Sequence, residues 1–409
     1  MPVRSPRQAV AALLRRPDVR AARLAALESG VGVDVVGGAV RDAFLGRSGG
    51  DLDLSAPARS AKGFAERLAV RLGTRVVAVG TAPRRILKLP AGRHEVDVWE
   101  RPGSVEEDLL RRDFGVNALR LSLPEAALQG PPRALEDLEK GRLRPPRPGV
   151  LLEDPVRVLR AARFEATLPG FRLVRSAAAE CRLAARRLGS VPPERSFQEL
   201  ERLLGAAPRA AAAALLRLES WGALAGLLPG TTTATRRAGI RLVARMSGTH
   251  PAVARALLLA PSGGTAAEES LRALRAPSRE LRMTSRLLAL PLRRRRGPPS
   301  RAEVARLLRA SAPFCEEAVL FLGAAGDAGT RELSASAGAL AASPARLRRV
   351  LSPPRPLASA DVARILGVPP GPLLGRALLG LDEALASGEV TGARAARAFV
   401  LRWAARGLR

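Results

Sequence analysis

Two glycines and two aspartates in one short stretch have the residue types of a phosphate- and metal-binding site. Gly37 and Gly38 follow a short apolar run, Val33 to Val36, which predicts a buried strand that ends in a turn. Adjacent glycines let a backbone approach a bulky anion closely, because no Cβ shields the N–H groups. Asp51 and Asp53 alternate with leucines, so in a strand both carboxylates project from one face.

Two parallel carboxylates on a rigid strand repel each other unless a cation lies between them. Oxygen ligands of this kind suit Mg²⁺, which usually takes one or two protein carboxylates together with substrate phosphates. Each half of the pattern is common on structural grounds alone, since paired glycines occur in many turns and D-x-D occurs on many exposed strands. In this order they predict a nucleotidyl-transfer site, with Gly37 and Gly38 at the phosphates and Asp51 and Asp53 at the metal.

The segment V-G-G-A-V-R-D, followed by D-L-D, resembles the signature of a branch of the nucleotidyltransferase superfamily. This branch contains class II tRNA CCA-adding enzymes and bacterial poly(A) polymerases. The resemblance implies Mg²⁺ as cofactor and assigns Arg41 and Asp42 to nucleotide binding. Nucleotidyl transfer of this kind generally needs a third carboxylate. Glu95 and Asp97 alternate on one predicted strand face, and either could supply it; we prefer Asp97.

A second motif, R-R-D-F-G-V-N-A, resembles the family's R-R-D-F-T-x-N-A, which contacts the sugar and the triphosphate. Arginines suit phosphate oxygens, whereas aspartate and asparagine suit ribose hydroxyls. Gly115 replaces the usual threonine, and we expect a looser turn there. Without the resemblance, a solvated charged turn would be the better interpretation. The residues assigned to nucleotide binding are Arg111, Arg112, Asp113 and Asn117.

The segment E-D-P-V-R resembles the family's base-selecting motif. Pro155 suits the first turn of a helix, and Asp154 and Arg157, three residues apart, are expected on one helical face. A carboxylate that accepts from an exocyclic amino group, beside a guanidinium that donates to a ring nitrogen, would admit cytosine and adenine and oppose uracil and guanine. The alternative is a capped helix start with an internal salt bridge. Arg160 and Arg163 are assigned to the same nucleotide-binding set.

The rest of the chain is rich in alanine, leucine and arginine with helical spacing. Residues 192–204 predict an amphipathic helix that resembles the family's next neck motif, in which Arg195 and Glu199 brace the base-selecting segment. Between Arg236 and Arg301, fifteen arginines stand against three glutamates. A solvated helix face is the usual reading of such a stretch, but this excess favours an RNA backbone track. The residues predicted to bind RNA are Arg293, Arg294, Arg295 and Arg296.

Composition limits the classes of partner and compartment. The 409 residues carry a formal net charge of +29, which favours a polyanion, because each neutralised phosphate releases counterions. The arginine bias also reflects in part what a GC-rich genome would encode. Two cysteines and two histidines predict neither a disulfide framework nor a zinc site and fit a reducing cytoplasm. The chain lacks a run of eighteen apolar residues, so we expect no membrane association.

The predicted fold class is α+β, with a mixed sheet of about five strands in a nucleotidyltransferase head followed by an all-α neck, body and tail. The predicted bounds are 1–145 for the head, 146–205 for the neck and 206–409 for the body and tail. Residues 356–378 resemble the short tail element of CCA-adding enzymes.

The resemblance implies a template-independent enzyme that adds the terminal C-C-A to tRNA from CTP and ATP. Poly(A) polymerases and enzymes that add only CC or only A share these motifs, so they remain alternatives. An inactive RNA-binding protein on the same scaffold is opposed by the intact Asp51, Asp53 and Arg112. A DNA-binding regulator is disfavoured, because no recognition-helix module or dimer heptad is evident. The sequence leaves the oligomeric state open.

Overall fold

The computed structural model describes residues 3–47, 50–81, 85–92, 94–290 and 298–407. The chain divides into two compact units, Met1–Val191 and Pro192–Arg409. The domain bounds after residues 145 and 205 remain predictions. Among the described helices, none combines the length and the apolar composition that crossing a bilayer requires.

The first unit is built on a mixed seven-stranded sheet with the strand order β3-β4-β5-β2-β1-β6-β7. β2 and β5 run parallel, and the other neighbouring pairs are antiparallel. The strands are β1 Asp34–Val36, β2 Leu52–Pro57, β3 Val77–Val79, β4 Ile86–Ala91, β5 His94–Arg101, β6 Arg120–Ser122 and β7 Leu128–Gln129.

The predicted strand number was too low, although the predicted α+β class is confirmed. The unpredicted strand β7 has only two residues and pairs with β6 at the sheet edge. A two-residue strand carries no alternating pattern, so the sequence offered no periodic signal for it.

One face of the sheet is apolar and packs against helix α4, Ala58–Leu72. Leu52 and Leu54 on β2 and Val96 and Val98 on β5 are fully buried on this side. The opposite side, which we call the open face, carries the polar residues of the same strands, because successive side chains alternate between faces.

The first two helices precede the sheet and show clear start and stop signals. Pro17 stands at the first position of the second helix, and Gly30 adopts the left-handed conformation (φ 63°) that ends it. The six helices of this part are α1 Pro6–Leu14, α2 Pro17–Ser29, α3 Gly38–Phe44, α4, α5 Val105–Leu110 and α6 Ala134–Glu139.

The remainder of the first unit is mainly helical, with one short parallel strand pair. The elements are β8 Arg142–Leu143, α7 Val150–Glu153, α8 Arg157–Thr167, β9 Arg172–Leu173 and α9 Arg175–Ala185. The prediction that Asp154 and Arg157 share one helical face was wrong. Asp154 ends α7 in an extended conformation, and α8 begins only at Arg157. A residue that precedes a proline is pushed out of the helical region, and Pro155 does this to Asp154.

In the second unit, the described residues form helices joined by short connections. The predicted amphipathic helix is confirmed as α10. The helices are α10 Pro193–Leu204, α11 Pro208–Ser220, α12 Ala223–Leu227, α13 Thr233–Val243, α14 Pro251–Leu259, α15 Gly263–Ala273, α16 Ser278–Leu288, α17 Arg301–Ser311, α18 Cys315–Ala325, α19 Ala328–Ala341, α20 Pro344–Leu351, α21 Ser359–Leu366, α22 Pro372–Ser387 and α23 Gly392–Gly407.

A buried ion cluster lies inside this helical unit. The guanidinium of Arg255 on α14 is fully buried and donates to Glu201 on α10 and Glu280 on α16. Burial raises the pKa of Glu201, although Arg255 acts in the opposite direction. Removing either glutamate would leave a buried cation with half its partners, so this cluster fixes the three helices against one another.

Candidate active site

Strand register places the acidic residues of β2 and β5 side by side on the open face. Asp53 pairs with Asp97 across the parallel β2–β5 ladder, and Asp97 pairs in turn with Lys88 on β4. Paired residues on neighbouring strands project to the same face. The alternation seen in the sequence therefore brings two carboxylates from strands 44 positions apart into direct proximity.

Asp51 lies immediately before β2 instead of within it. One carboxylate oxygen of Asp51 accepts a 3.0 Å hydrogen bond from the backbone N–H of Glu95. This bond ties the start of β2 to β5 and keeps Asp51 beside the Asp53–Asp97 pair. Glu95, the other candidate for the third carboxylate, is exposed and accepts from Lys88 Nζ at 2.5 Å.

Asp97 carries an unpartnered oxygen that fits a cation. Its Oδ1 is buried and receives no hydrogen bond, while Lys88 Nζ lies 3.4 Å from its Oδ2. Burial raises the pKa of Asp97; the charges of Asp53 and Glu95 add to this, and Lys88 opposes it. A buried carboxylate oxygen beside a second carboxylate is the donor set that hard divalent cations take. The described residues do not, however, bring three acidic, histidine or cysteine side chains into ready metal-binding geometry.

Gly37 is required where β1 meets α3. Its backbone has φ 74° and ψ −139°, a region that residues with a Cβ rarely adopt. A Cβ at this position would lie 3.1 Å from Asp53 Oδ2 and 3.3 Å from Arg112 Nη1. The glycine thus lets a carboxylate and a guanidinium both approach one backbone turn closely. Arg112 is held there by a 3.1 Å bond from Nη2 to Asp108 on α5.

Gly38, Arg41 and Asp42 lie on α3, and their environment differs from that of Gly37. Gly38 is the first residue of α3, and its φ is not in the left-handed region. The side chain of Arg41 is 90% buried, donates to Asn117 Oδ1 at 2.6 Å and forms an ion pair with Asp42 at 2.9 Å. The bond to Asn117 ties α3 to the second motif. The assignment of Arg41 and Asp42 to nucleotide binding stays a prediction.

Asp113 is buried and fully engaged by the protein. It accepts from Asn117 Nδ2, from the N–H of Phe114 and from Arg160 Nε, at 2.7 to 2.9 Å. Burial alone would raise its pKa, but Arg160 and the two hydrogen bonds outweigh this and lower it to about 2. The turn after it is closed instead of loose, because Gly115 is buried and donates to the carbonyl of Arg144 at 2.8 Å.

Phe164 on α8 lies against three of the arginines that the sequence assigns to nucleotide binding. Its ring lies under three guanidinium groups, with Cζ-to-centroid distances of 4.3 to 5.6 Å, and meets Phe114 edge to face. Cations over an aromatic face are stabilised by the ring quadrupole. The three residues over this ring are Arg41, Arg160 and Arg163.

Arg157 connects the base-selecting segment to the R-R-D motif. Its two terminal nitrogens donate to the carbonyl oxygens of Val150, at 2.6 Å, and of Arg111, at 2.5 Å. Burial lowers the pKa of Arg157 from its usual range. Asp154 is half-buried beside this link, and the side chain of Arg111 is exposed.

Sequence reasoning missed three residues on the open face. Lys88 contacts Asp97, Asp108 holds Arg112, and the indole of Trp99 donates to Asp53 Oδ1 at 3.0 Å. The spacing of two of them, Asp108 and Trp99, in the sequence could have revealed them. Asp108 precedes Arg112 by four residues, and Trp99 follows Asp97 by two in a strand. The predicted RNA-binding residues Arg293 to Arg296 lie outside the described residues.

Comparison with known proteins assigns the class that this fold and site define. Residues 33–144 match the poly A polymerase head domain, so the first unit carries a nucleotidyltransferase head. Solved structures share the fold: the Thermotoga maritima CCA-adding enzyme complexed with tRNA_CCA superposes with a TM-score of 0.70 at 19% identity and covers 98% of this chain and 99% of that one.

Sequence relatives then identify the family. The chain is 32% identical over 416 residues to the CC-adding tRNA nucleotidyltransferase of Thermus thermophilus, covering 90% of this chain and 93% of the relative. It therefore belongs to the tRNA nucleotidyltransferase family, whose members generally use divalent metal ions. It is also 38% identical over 208 residues to the multifunctional CCA protein of Xanthomonas campestris, a match that spans about half of each chain.

Proposed function

We propose that this protein is a template-independent tRNA nucleotidyltransferase that adds C and A, from CTP and ATP, to the 3′ end of tRNA. The observation that carries the proposal is the Asp53–Asp97 carboxylate pair on the open face, facing Gly37 and Arg112. Membership of the family and the basic composition of the chain agree with an RNA substrate. The two buried free cysteines fit a reducing compartment, and we place the protein in the cytoplasm.

Mg²⁺ is the proposed cofactor, held by Asp51 and Asp53 with Asp97 as the third carboxylate. When bound there, it would lower the pKa of the attacking 3′-hydroxyl and stabilise the leaving pyrophosphate. The hydrogen bonds from Trp99 Nε1 to Asp53 and from the Glu95 N–H to Asp51 fix one oxygen of each carboxylate. The other oxygens are left to face the substrate.

The triphosphate would lie over the turn at Gly37 and Gly38, where Arg112 and the exposed Arg111 supply positive charge. Arginines stabilise the negative charge that develops during transfer, because their guanidinium groups are already oriented before the reaction. Asp113 accepts hydrogen bonds from Asn117 and Arg160, and Asn117 in turn accepts one from Arg41. They therefore shape the ribose pocket through this buried network.

Base choice is assigned to Asp154 and Arg157. An extended Asp154 can accept from the exocyclic amino group that cytosine and adenine share. Arg157 is tethered to the carbonyls of Val150 and Arg111, so its guanidinium is held in place before a nucleotide arrives. A site whose polar groups match one base edge rejects the others, because mismatched groups would be buried unpaired.

A second candidate is addition of CC alone. A CC-adding relative spans 90% of this chain. An A-adding relative from Deinococcus radiodurans spans 91% of it at 30% identity, so addition of A alone has equal support. Addition of A alone and poly(A) synthesis differ from these reactions in acceptor and product, and the head described above would serve all of them.

The experiment is incubation of the purified protein with Mg²⁺, labelled CTP or ATP, and tRNAs that end before, within and after C-C-A. Full CCA addition predicts C on the first substrate and A only after both cytidines. Asp51→Asn and Asp53→Asn should abolish incorporation while tRNA affinity is retained, because each removes one anionic ligand and little else. Full activity in both variants would overturn the site assignment. Incorporation of C without A would select the CC-adding alternative.

A further inference from the structure

Trp99 is a solvent-facing aromatic residue beside the proposed catalytic carboxylates. It lies on β5, 39% exposed, two residues after Asp97 and on the same open face. Its Nε1–H donates to Asp53 Oδ1 at 3.0 Å, which fixes the plane of the indole at the edge of the site. The chain has three tryptophans among only 3% aromatic residues, and Trp221 is buried.

Trp99 belongs to an apolar ledge formed by Val79, Ile86 and Trp99. Register aligns them directly, since Val79 pairs with Ile86 and Ile86 pairs with Trp99. Val79 is 43% exposed, so the ledge presents apolar surface to solvent along three strands. The next row of pairs on the same face is Lys88, Asp97 and Asp53. An apolar ledge therefore runs parallel to the carboxylate row.

The order of the strands separates this ledge from the nucleotide-binding groups. β5, β4 and β3 lie on one side of β2, and β1 and β6 lie on the other. Gly37 follows β1, and the motif containing Arg112 and Asn117 leads into β6. In an in-line displacement, the attacking and leaving oxygens lie on opposite sides of the reacting phosphorus. If the triphosphate occupies the β1–β6 side of the carboxylates, the acceptor must approach from the β5–β4 side.

We propose that the indole of Trp99 is the platform on which the 3′-terminal base of the acceptor RNA stacks. Stacking on an aromatic ring is tolerant of base identity, because every base has a π-face. An enzyme that extends its own product does not meet the same terminal base at every addition, so a tolerant platform suits it better than hydrogen-bond readout. The bond from Nε1 to Asp53 also couples the seated base to the carboxylate that must act on its ribose.

This inference rests on the proposed function, and two substitutions separate the two roles of Trp99. Trp99→Leu removes the ring, and we expect the KM for tRNA to rise about 5- to 150-fold, which corresponds to the loss of one base–aromatic stack. The KM for CTP should not change. Trp99→Phe keeps a ring but loses the bond to Asp53, so we expect a lower kcat at nearly normal KM for tRNA. Val70→Ala, an exposed apolar residue on α4, is the matched control.

A tRNA whose 3′-terminal nucleotide lacks its base completes a double-mutant cycle with Trp99→Leu. We expect the abasic end to weaken binding to the wild-type protein and to have little further effect on the variant. Binding is measured in EDTA from the quenching of tryptophan emission and from filter retention, so this readout does not depend on catalysis. Additive effects would overturn the proposal. A rise in the KM for CTP alone would also overturn it, because the indole would then hold the incoming nucleotide. If Asp53→Asn abolishes activity while the cycle shows no coupling, only this inference fails.

Discussion

Replacing Gly37 with alanine tests how closely the turn, the carboxylate and the guanidinium must approach. The backbone at φ 74° and ψ −139° is strained for any residue with a Cβ, at a cost of about 1 to 3 kcal/mol. The new methyl group would also lie 3.1 Å from Asp53 Oδ2 and 3.3 Å from Arg112 Nη1. Both atoms must then retreat by a few tenths of an ångström, and the backbone turn must move with them.

Gly30→Ala is a matched control for the loss of stability that comes from backbone strain alone. Gly30 also has a positive φ of 63°, but a Cβ there would meet nothing within 4 Å. We expect both variants to lose stability by about 1 to 3 kcal/mol, measured by urea unfolding. Only Gly37→Ala should lose activity, by up to about 100-fold in kcat/KM, which is the loss that a misplacement of about 1 Å can cause.

Gly38→Ala extends the series to the proposed phosphate. Its Cβ would lie 3.4 Å from Arg41 Nη2, an ordinary contact, and its φ is not positive. The fold should therefore tolerate the change, and a higher KM for CTP would report a phosphate close to the Cα. The reasoning is refuted if Gly37→Ala loses no more activity than Gly30→Ala.

Three further predictions concern the second motif, the base-selecting pair and the arginine-rich segment. The pKa of Asp113 is about 2 in the folded protein, against an ordinary value of 3.8. The ionised carboxylate therefore adds about 2 kcal/mol to the free energy of unfolding above pH 4, and this contribution is lost as the pH falls toward 2. Asp113→Asn should be less stable at pH 7, and its free energy of unfolding should vary less with pH between 4 and 2. Asp154→Ala should lower incorporation of C and A relative to U and G, seen in the ratio of kcat/KM for the four nucleotides, and an unchanged ratio would place base choice elsewhere. Changing Arg293 to Arg296 to glutamine should weaken tRNA binding and flatten its salt dependence without affecting CTP; an unaltered slope would contradict an RNA track there.

The proposed catalytic carboxylates could be picked out from sequence because strand alternation is a strong local signal. Asp53 and Asp97 each alternate with buried aliphatic residues, and the register pairs these two residues with each other. The choice of Asp97 over Glu95 as the third carboxylate stays a prediction. The pairing of the two strands was not readable, since it depends on contacts between distant segments. The proline signal at Pro155 was readable, but the expected helix ignored the restriction that a proline places on the residue before it.

The contacts of the buried Arg41 side chain could not be predicted from the sequence around it. Arg41 looks like a phosphate ligand because its motif is short, charged and next to a glycine turn. Its partner Asn117 lies 76 positions away, and Phe164 further on accepts its guanidinium on a ring face. Only the folded arrangement separates an exposed arginine, such as Arg111, from one that is buried, such as Arg41.

The alternation of β2 and β5 also protects the chemistry against errors of assembly. If either strand slipped by one residue, its carboxylate would enter the core and its aliphatic side chains would face water, because side chains reverse sides at every residue. Each of Leu52, Leu54, Val96 and Val98 is buried, and exposing one costs about 1.5 to 3 kcal/mol. A misregistered head would therefore unfold before it could persist as a weak or error-prone enzyme. The accuracy of the reaction is thus protected by side chains that never meet the substrate.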